Sequence, residues 1–424
     1  MVAGIIRPSK EERLDILTQA AQYDVCLSSC NSNPEGGAGR VRDSHDSLNA
    51  WIYPTALPGQ GTMHILKVLQ SNFCKNRCSY CAFSAMQKNT ARERLGSEEL
   101  ARLFIELYYK KLVQGVFISS GVDDAKGGAM ENMIATAEIL RKKYYFEGYI
   151  HLKLLPGTPQ HLIENAALYA DRVSLNLEAP GRDFLKAIAP DKNLVDELIP
   201  TMQRRASVLR KPGFRAKNQS TQFVIGAGNE LDLDILRCVD WIYRKLFVFR
   251  SYFSAYQPLE KNLVAREEVS QRLIREHRLY QCDFLLRGYG FRLKDLVFDQ
   301  SGNLPIHVDP KTAYAIHHPE LFPVDVNAAS ENQLLKVPGI GLRSARRIVK
   351  ERETTLFRGL NDLKKTGAFV SWAEAYVMFS GKKDSDLTPG YFQRWLFPEL
   401  NPDSWQSNIK PLGNNEKPDY DYPA

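Results

Sequence analysis

Between about residues 63 and 256, short apolar runs alternate with stretches of helical periodicity. His64–Leu69, Val116–Ser119, Tyr149–Leu154, Arg172–Leu177, Thr221–Ile225 and Phe247–Ala255 read as strands, and residues 97–111, 129–145, 159–169, 194–210 and 230–244 as helices. Strands alternating with helices imply right-handed crossovers and a parallel sheet, and six such strands can curl into an incomplete barrel. Upstream, residues 9–24 read as a capped amphipathic helix, with Glu11 and Glu12 in its first turn and Leu14, Ile16, Leu17, Ala20 and Ala21 as its apolar positions. A Gly/Asn/Ser-rich loop follows from Ser28 to Gly39. Residues 264–286 are helical again, and a separate unit occupies about 320–380, preceded by His317-His318-Pro319. After residue 398 the chain turns rich in Pro, Asn and Asp, the composition of an extended tail. The expected domains are 1–62, an N-terminal helix and loop extension; 63–290, the barrel; 291–320, a connector; 321–398, a helical domain; and 399–424, a flexible tail.

Composition narrows the class. With 44% hydrophobic and 25% charged residues over 424 positions, the chain is an ordinary globular protein, long enough for a sizeable core. The net charge of +7 permits a polyanionic partner without requiring one. No stretch approaches the roughly 18 apolar residues that cross a bilayer, and Arg7-Pro8 interrupts the apolar start, so no membrane association and a cytoplasmic location are expected. Seven cysteines are few, and three crowd between positions 74 and 81, which suits a reducing compartment and metal binding.

Those three stand in Asn72-Phe-Cys74-Lys-Asn-Arg-Cys78-Ser-Tyr-Cys81-Ala-Phe-Ser84, a C-x3-C-x2-C loop directly after the first predicted strand. The carboxyl edge of a parallel sheet is where α/β folds bind ligands. Three thiolates can hold three irons of a [4Fe–4S] cube and leave the fourth without a protein ligand, with Tyr80 and Phe83 placed to shield it. A zinc site, with Cys26, Cys30 or His64 as the fourth ligand, and three unremarkable thiols are the alternatives. Cys26 and Cys30, a second C-x3-C pair, are otherwise ordinary thiols or an auxiliary metal site, and Cys238 and Cys282 are core residues.

This motif, in this place, resembles the radical S-adenosylmethionine (radical SAM) superfamily, whose fold is a partial (β/α)6 TIM-like barrel. The resemblance implies that Cys74, Cys78 and Cys81 ligate the [4Fe–4S] cluster and that S-adenosylmethionine chelates the open iron. One electron then releases a 5′-deoxyadenosyl radical, chemistry that no side chain performs. It further implies cofactor contacts at Tyr80, at Ser119, Ser120 and Gly121 after the second strand, and at Ser174, Asn176 and Glu178, which share one face of the fourth. Gly226 and Gly228 at the end of the fifth strand complete the set. Ser119-Ser120-Gly121-Val122 lacks the acid that relatives carry there; Asp123 or Asp124 either replaces it or is a solvated loop acid. An electron donor such as a flavodoxin or ferredoxin is an implied partner.

The second motif is Val337-Pro-Gly339-Ile340-Gly341-Leu-Arg343-Ser-Ala-Arg346-Arg347-Ile-Val-Lys350. Ser330 with Gln333 forms a capping box for a short helix, Pro338 and Gly339 stop it, and a second helix resumes at Leu342. Glycines at 339 and 341 let backbone amides point outward at the second helix's start, where an anion is favoured. Residues 336–352 hold six basic residues against one acid, Glu351. At least one of Arg346 and Arg347 must face solvent. These residues resemble the helix-hairpin-helix module of DNA-binding proteins, in an all-α C-terminal domain. Gly339, Ile340, Gly341, Arg343, Arg346, Arg347 and Lys350 are the expected DNA contacts, through phosphates. A degraded copy, Leu360 to Phe369, reads as a packing partner. The basic run Arg204, Arg205, Arg210, Lys211, Arg215 and Lys217 either extends a nucleic-acid path or is a solvated helix face.

The whole pattern is similar to radical SAM proteins with a C-terminal helix-hairpin-helix that are described as DNA modification or repair proteins. The expected function is modification or repair of a nucleotide in DNA, with another DNA-repair enzyme as a candidate partner. A radical SAM enzyme acting on RNA and a non-catalytic, metal-stabilised DNA-binding protein are the alternatives.

Overall fold

A computed structural model describes residues 10–21, 52–57, 61–123, 128–257, 266–382 and 384. Two compact units emerge. One takes the described residues up to Glu230 together with those of Trp241–Arg272, and the other takes Leu231–Asp240 and the described residues from Leu273 on.

The first unit is built on a curled seven-stranded half-barrel sheet in chain order, β1 (Ile52–Leu57), β2 (Gly61–Leu69), β3 (Gly115–Ser119), β4 (Tyr149–Lys153), β5 (Arg172–Ser174), β6 (Asn218–Ile225) and β7 (Val248–Ala255). From β2 onward every pairing is parallel. Its helices are α1 (Lys10–Ala21), α2 (Ser97–Tyr109), α3 (Ala129–Lys142), α4 (Gln160–Tyr169), α5 (Arg182–Ile188) and α6 (Ile199–Leu209), while α7 (Asp232–Leu246) and α8 (Arg266–Gly288) are each divided between the two units. Period-2 alternation sorts each strand into two faces. Val68, Ile118, Leu152 and Val173, all fully buried, lie on one. The Gln70 amide, which continues that face beyond β2, reaches the Ser97 hydroxyl of α2 and the Asn132 carbonyl of α3, and Gln219 of β6 meets Arg205 of α6. That face is therefore the helix side. Leu100, Ala101, Phe104 and Ile105 of α2 form the kind of stripe that covers it.

The six expected strands and their helices are present, with four differences. β1 was missed: it pairs antiparallel with β2 at the sheet edge, and Pro54 within it masks the strand signal. β5 ends at Ser174 rather than Leu177; the chain leaves the ladder, the Leu177 N–H bonds the Thr221 hydroxyl, and Glu178 rejoins by a single bridge to Phe223 with φ +67°. The expected helix 194–210 opens with a π-turn, Leu194–Leu198, before α6. The short α5 was also missed. Cys26, Cys30, Asp124, the 28–39 loop and the tail after 398 lie outside the described residues.

In the second unit, α9 (Pro310–His317) precedes α10 (Glu331–Leu334), α11 (Leu342–Glu351), α12 (Leu360–Lys365) and α13 (Val370–Ala373). A two-stranded parallel ladder, β8 (Val324–Asp325) with β9 (Val377–Met378), ties the start of this stretch to its end. Leu334, Val337, Ile340, Ala345 and Ile348 form its buried centre. No described helix is long and apolar enough to cross a membrane.

Candidate functional site

The cysteine loop leaves β2 at the carboxyl edge of the sheet and returns to α2. Its conformation is fixed from within. Arg92 donates through Nη1 to the carbonyls of Asn72 (2.6 Å) and Phe83 (2.8 Å), and through Nη2 to those of Ser84 (2.8 Å) and Gln87 (3.0 Å). The buried Asn72 amide spans the two arms, donating to the Ala91 carbonyl and accepting from the Glu93 N–H. The neighbouring edge closes on the loop from β3: Lys75 N–H bonds the Val122 carbonyl and Gly121 N–H the Ser71 carbonyl. A Cβ on Gly121 would lie 2.0 Å from the Phe73 carbonyl oxygen and 3.0 Å from the Cys74 Cβ. Glycine at 121 thus admits the cysteine arm to the sheet edge, a close approach no other residue allows.

Cys74, Cys78 and Cys81 form no disulfide, and Cys78 is buried while the other two are half-buried. Beside them stands an unexpected pair. Lys192, on the turn after α5, donates from Nζ to Glu178 Oε1 (2.9 Å) and to the Tyr80 hydroxyl (3.0 Å), with side chains only 12% and 4% exposed for Lys192 and Glu178. Burial pushes the Cys78 thiol up, and the Lys192 ammonium opposes that shift. Tyr80 is held well above the ordinary phenol range by burial and by the Glu178 carboxylate. The Glu178 carboxylate is therefore engaged by the lysine.

Of the other expected contacts, Ser119 and Ser174 lie at the carboxyl ends of β3 and β5, where Ser174 Oγ meets His151 Nε2 at 2.9 Å. The Ser120 hydroxyl bonds the Ser71 carbonyl, and Asn176 is buried just past β5. Gly226, at φ +80°, and Gly228 open the turn after β6; both N–H groups donate to the buried Glu230 carboxylate, at 2.5 and 3.0 Å. Asp123 is no solvated loop acid: it accepts from the Ser71 hydroxyl at 2.7 Å and pairs with Arg94. His64, the candidate zinc ligand, is an exposed residue of β2. Among the described residues, no three His, Cys, Asp or Glu side chains gather as a lone metal ion requires. Three thiols carried on one loop, with Lys192 beside Cys78 and Cys81, suit a multi-iron cluster, whose ligands bind different irons.

In the second unit the Ser330–Gln333 capping box forms as expected. Gly339 takes φ +79°, and its added Cβ would sit 2.3 Å from the Phe369 carbonyl oxygen. Gly341 differs: it is the extended N-cap of α11, at φ −93° and ψ 174°, so the hairpin's left-handed turn needs one glycine rather than two. The degraded copy is a packing partner, since Phe369 N–H bonds the Gly339 carbonyl and Arg347 Nη1 the Thr366 carbonyl. Ile340 is buried, and its carbonyl accepts from Lys311 Nζ, itself a buried group pushed down to about 7 by its apolar surroundings. Arg343, Arg346, Arg347 and Lys350 are all exposed, with Arg346 3.5 Å from Glu331. Two of the six local cations are structural: Lys336 pairs with Asp295, and Arg352 Nη1 holds the carbonyls of Val326 and Ala329.

The family model for the radical SAM superfamily matches residues 68–233, the span from within β2 to the start of α7. Residues 68–233 are a radical SAM domain. The model for the helix-hairpin-helix motif matches residues 322–369. Among solved structures, the chain is similar to the hydrogenase maturase HydG from Carboxydothermus hydrogenoformans (16% identity, TM-score 0.39, 51% of each chain). It is also similar to SuiB from Streptococcus suis (14%, 0.37, 63% of this chain and 51% of that one), and to the methyltransferase TsrM from Kitasatospora setae (15%, 0.36, 46% and 38%). The chain spans about half the length of the first of these. No curated protein matches.

Sequence reasoning about the radical SAM barrel missed Arg92, Lys192 and Glu230. Arg92 and Glu230 act on the backbone of motifs that were recognised, so a charged residue close after each motif was the available signal. Lys192 had none: it lies 112 positions from the tyrosine it bonds.

Proposed function

We propose that this radical SAM protein is an enzyme that modifies or repairs a nucleotide in nucleic acid, DNA in the first instance, gripped by its helix-hairpin-helix. The observation that carries the reading is the conjunction in one chain of a clamped three-thiol loop at the barrel's carboxyl edge and a hairpin presenting four exposed cations. In this reading Cys74, Cys78 and Cys81 hold a [4Fe–4S] cluster. Bound there with S-adenosylmethionine, the cluster supplies the one-electron chemistry that side chains lack. Arg92 and Gly121 fix the thiols in place, and Lys192 balances the negative charge that three thiolates bring into a half-buried pocket. Tyr80, Ser119, Ser120, Gly121, Ser174, Asn176, Gly226 and Gly228 border the cofactor, and Glu178 orients Lys192.

At the hairpin, Gly339 turns the chain so that the backbone at Gly341 opens α11 towards solvent, where a phosphate is favoured by free N–H groups and the helix dipole. Arg343, Arg346, Arg347 and Lys350 add charge that positions the backbone without reading sequence. A target base reaches an active site of this kind by leaving the stack. The test is anaerobic reconstitution, followed by reductant-dependent assay for 5′-deoxyadenosine and mass spectrometry of nucleosides from DNA and RNA incubated with the protein. Altered deoxynucleosides support the proposal. Altered ribonucleosides alone move it to RNA, and no cleavage of S-adenosylmethionine under any reductant removes the enzyme.

A further inference from the structure

The stretch after α11 packs against the hairpin, and it also repeats the hairpin's backbone. Gly339 and Gly367 both take left-handed angles, φ +79° and +85°. The residues that follow them, Ile340 and Ala368, are buried. Next come Gly341 and Phe369, the extended N-caps of α11 and α13. Each cap carbonyl accepts from a buried alanine one turn on, Ala345 N–H to Gly341 at 2.8 Å and Ala373 N–H to Phe369 at 3.2 Å. Further along, Ile348 and Tyr376 correspond, and both are buried. Two hairpins of one design are therefore packed together. The Phe369 N–H bonds the Gly339 carbonyl at 2.9 Å, and Arg347 reaches the Thr366 carbonyl at 3.2 Å.

What the two hairpins present to solvent differs. At the cap, the glycine of the first becomes a phenylalanine in the second. Arg343, Ser344, Arg346 and Arg347 become Ser371, Trp372, Glu374 and Ala375. The cations are gone and two aromatic rings stand instead. Phe369 is 73% exposed and Trp372 56%, and among the described residues neither ring has an aromatic or cationic partner. Residues three apart at a helix start share a side, so the two rings form one patch. That patch borders the first turn directly, since a Cβ on Gly339 would lie 3.1 Å from the Trp372 Cβ. A single exposed aromatic is ordinary, whereas a pair set against a hairpin with four exposed cations joins a stacking surface to a phosphate grip. With four residues and Glu374 behind it, α13 offers a phosphate nothing of its own.

We infer that Phe369 and Trp372 form a base-stacking surface, on which an unpaired nucleobase of DNA lies while Arg343, Arg346, Arg347 and Lys350 of the neighbouring hairpin hold that strand's phosphates. A phosphate needs a bare backbone and a base needs a flat ring, which is how the two caps divide. The preferred ligand is DNA with an unpaired stretch beside duplex, because bases inside a continuous duplex already stack on one another. This deepens the nucleic-acid reading above and rests on it.

The test is equilibrium binding of the reconstituted full-length protein, by fluorescence anisotropy at fixed salt, to three labelled DNAs. These are a continuous duplex, the same duplex with a bulge of unpaired bases, and that bulge with its bases replaced by abasic residues. The last two carry the same phosphates. The bulged DNA should bind at least about ten-fold more tightly than either of the others, the worth of one stacked base. Phe369→Leu/Trp372→Leu, which keeps apolar bulk and loses the aromatic faces, should bring the bulged DNA to the affinity of the abasic one. Trp372→Phe should keep most of the preference, and continuous-duplex affinity should stay unchanged in both variants. Equal wild-type affinity for the bulged and abasic DNAs overturns the inference, as does a preference that survives both leucines. So does a wild-type dimer in sedimentation that the leucine variant dissociates, which would assign the patch to a second copy of the chain. The nucleic-acid reading is judged separately. Loss of duplex binding in Arg343→Ala/Arg346→Ala upholds it whatever the bulge shows, and failure to bind any of the three DNAs removes both.

Discussion

Replacing Gly121 by alanine should disarm the cysteine loop without touching a thiol. The added methyl group would lie 2.0 Å from the Phe73 carbonyl oxygen, 2.8 Å from its carbon and 3.0 Å from the Cys74 Cβ. Comfortable contacts begin near ~3.5 Å, so the loop must retreat by more than ~1 Å. The opposing atoms are largely backbone and cannot rotate aside. Overpacking of this kind costs about 1–3 kcal/mol. The retreat also strains two hydrogen bonds across the seam, Gly121 N–H to the Ser71 carbonyl (2.8 Å) and Lys75 N–H to the Val122 carbonyl (3.0 Å). At about 1 kcal/mol each, the total reaches roughly 3–5 kcal/mol. Metal-ligand distances tolerate only about ±0.2 Å, so Cys74 would leave its place in any cluster. Iron and sulfide per chain after anaerobic reconstitution, with a thermal melt, are the assay. Gly157→Ala is the control: Gly157 has φ +73° with nothing within 4 Å, so a left-handed penalty of about 1–2 kcal/mol is its whole cost and iron content should stay normal. A Gly121→Ala protein with full iron loading and an unchanged melt would refute the argument that this contact seats the loop.

Three further outcomes follow from single contacts. Arg92→Met removes four hydrogen bonds to loop carbonyls and should lower iron loading sharply while far-ultraviolet circular dichroism keeps its helix content; normal loading would show that the loop needs no clamp. Gly339→Ala meets the Phe369 carbonyl at 2.3 Å with a left-handed backbone and should destabilise the hairpin by about 2–4 kcal/mol, whereas Gly341→Ala, an extended N-cap, should cost under about 1 kcal/mol in a melt. Lys311 sits near 7 in the folded chain against about 10.4 when unfolded, so the unfolded chain holds the extra proton between those values and stability rises with pH across that window. Lys311→Met should flatten the slope of denaturation midpoint against pH between about 7 and 10, and an unchanged slope would contradict the assignment.

The alternation of strands and helices was legible because each parallel strand, buried on its helix side, leaves a run of apolar residues. The cysteine spacing and the Ser330–Gln333 box were legible because both are local, with every participant within a few residues of its partner. Local signals failed where a single residue contradicted its element. Pro54 disguised β1, and seven residues were too few for α5 to show a helical period. Gly341 failed in the opposite direction: it sits where a glycine turn is expected, yet its backbone is one that any residue adopts.

Charge was the least legible property, because a sequence gives the sign of a side chain and not its partner. The run from Arg204 to Lys217 holds no acid, which made it a candidate nucleic-acid path, yet the fold disposes of most of it internally. Arg205 is wholly buried against Gln219, Arg215 bonds Asp171 and Glu147, and Lys211 pairs with Glu164. Those acids lie 44 to 68 residues away for Arg215, beyond any window in which charge can be counted. The strands present the reverse case. Their four cations are scattered singly through apolar runs and catch no attention in the sequence, but the parallel register gathers them on one face with no carboxylate on the same strands. Charge read along the chain and charge gathered by the fold are therefore different maps, and only the second says which cations share a face.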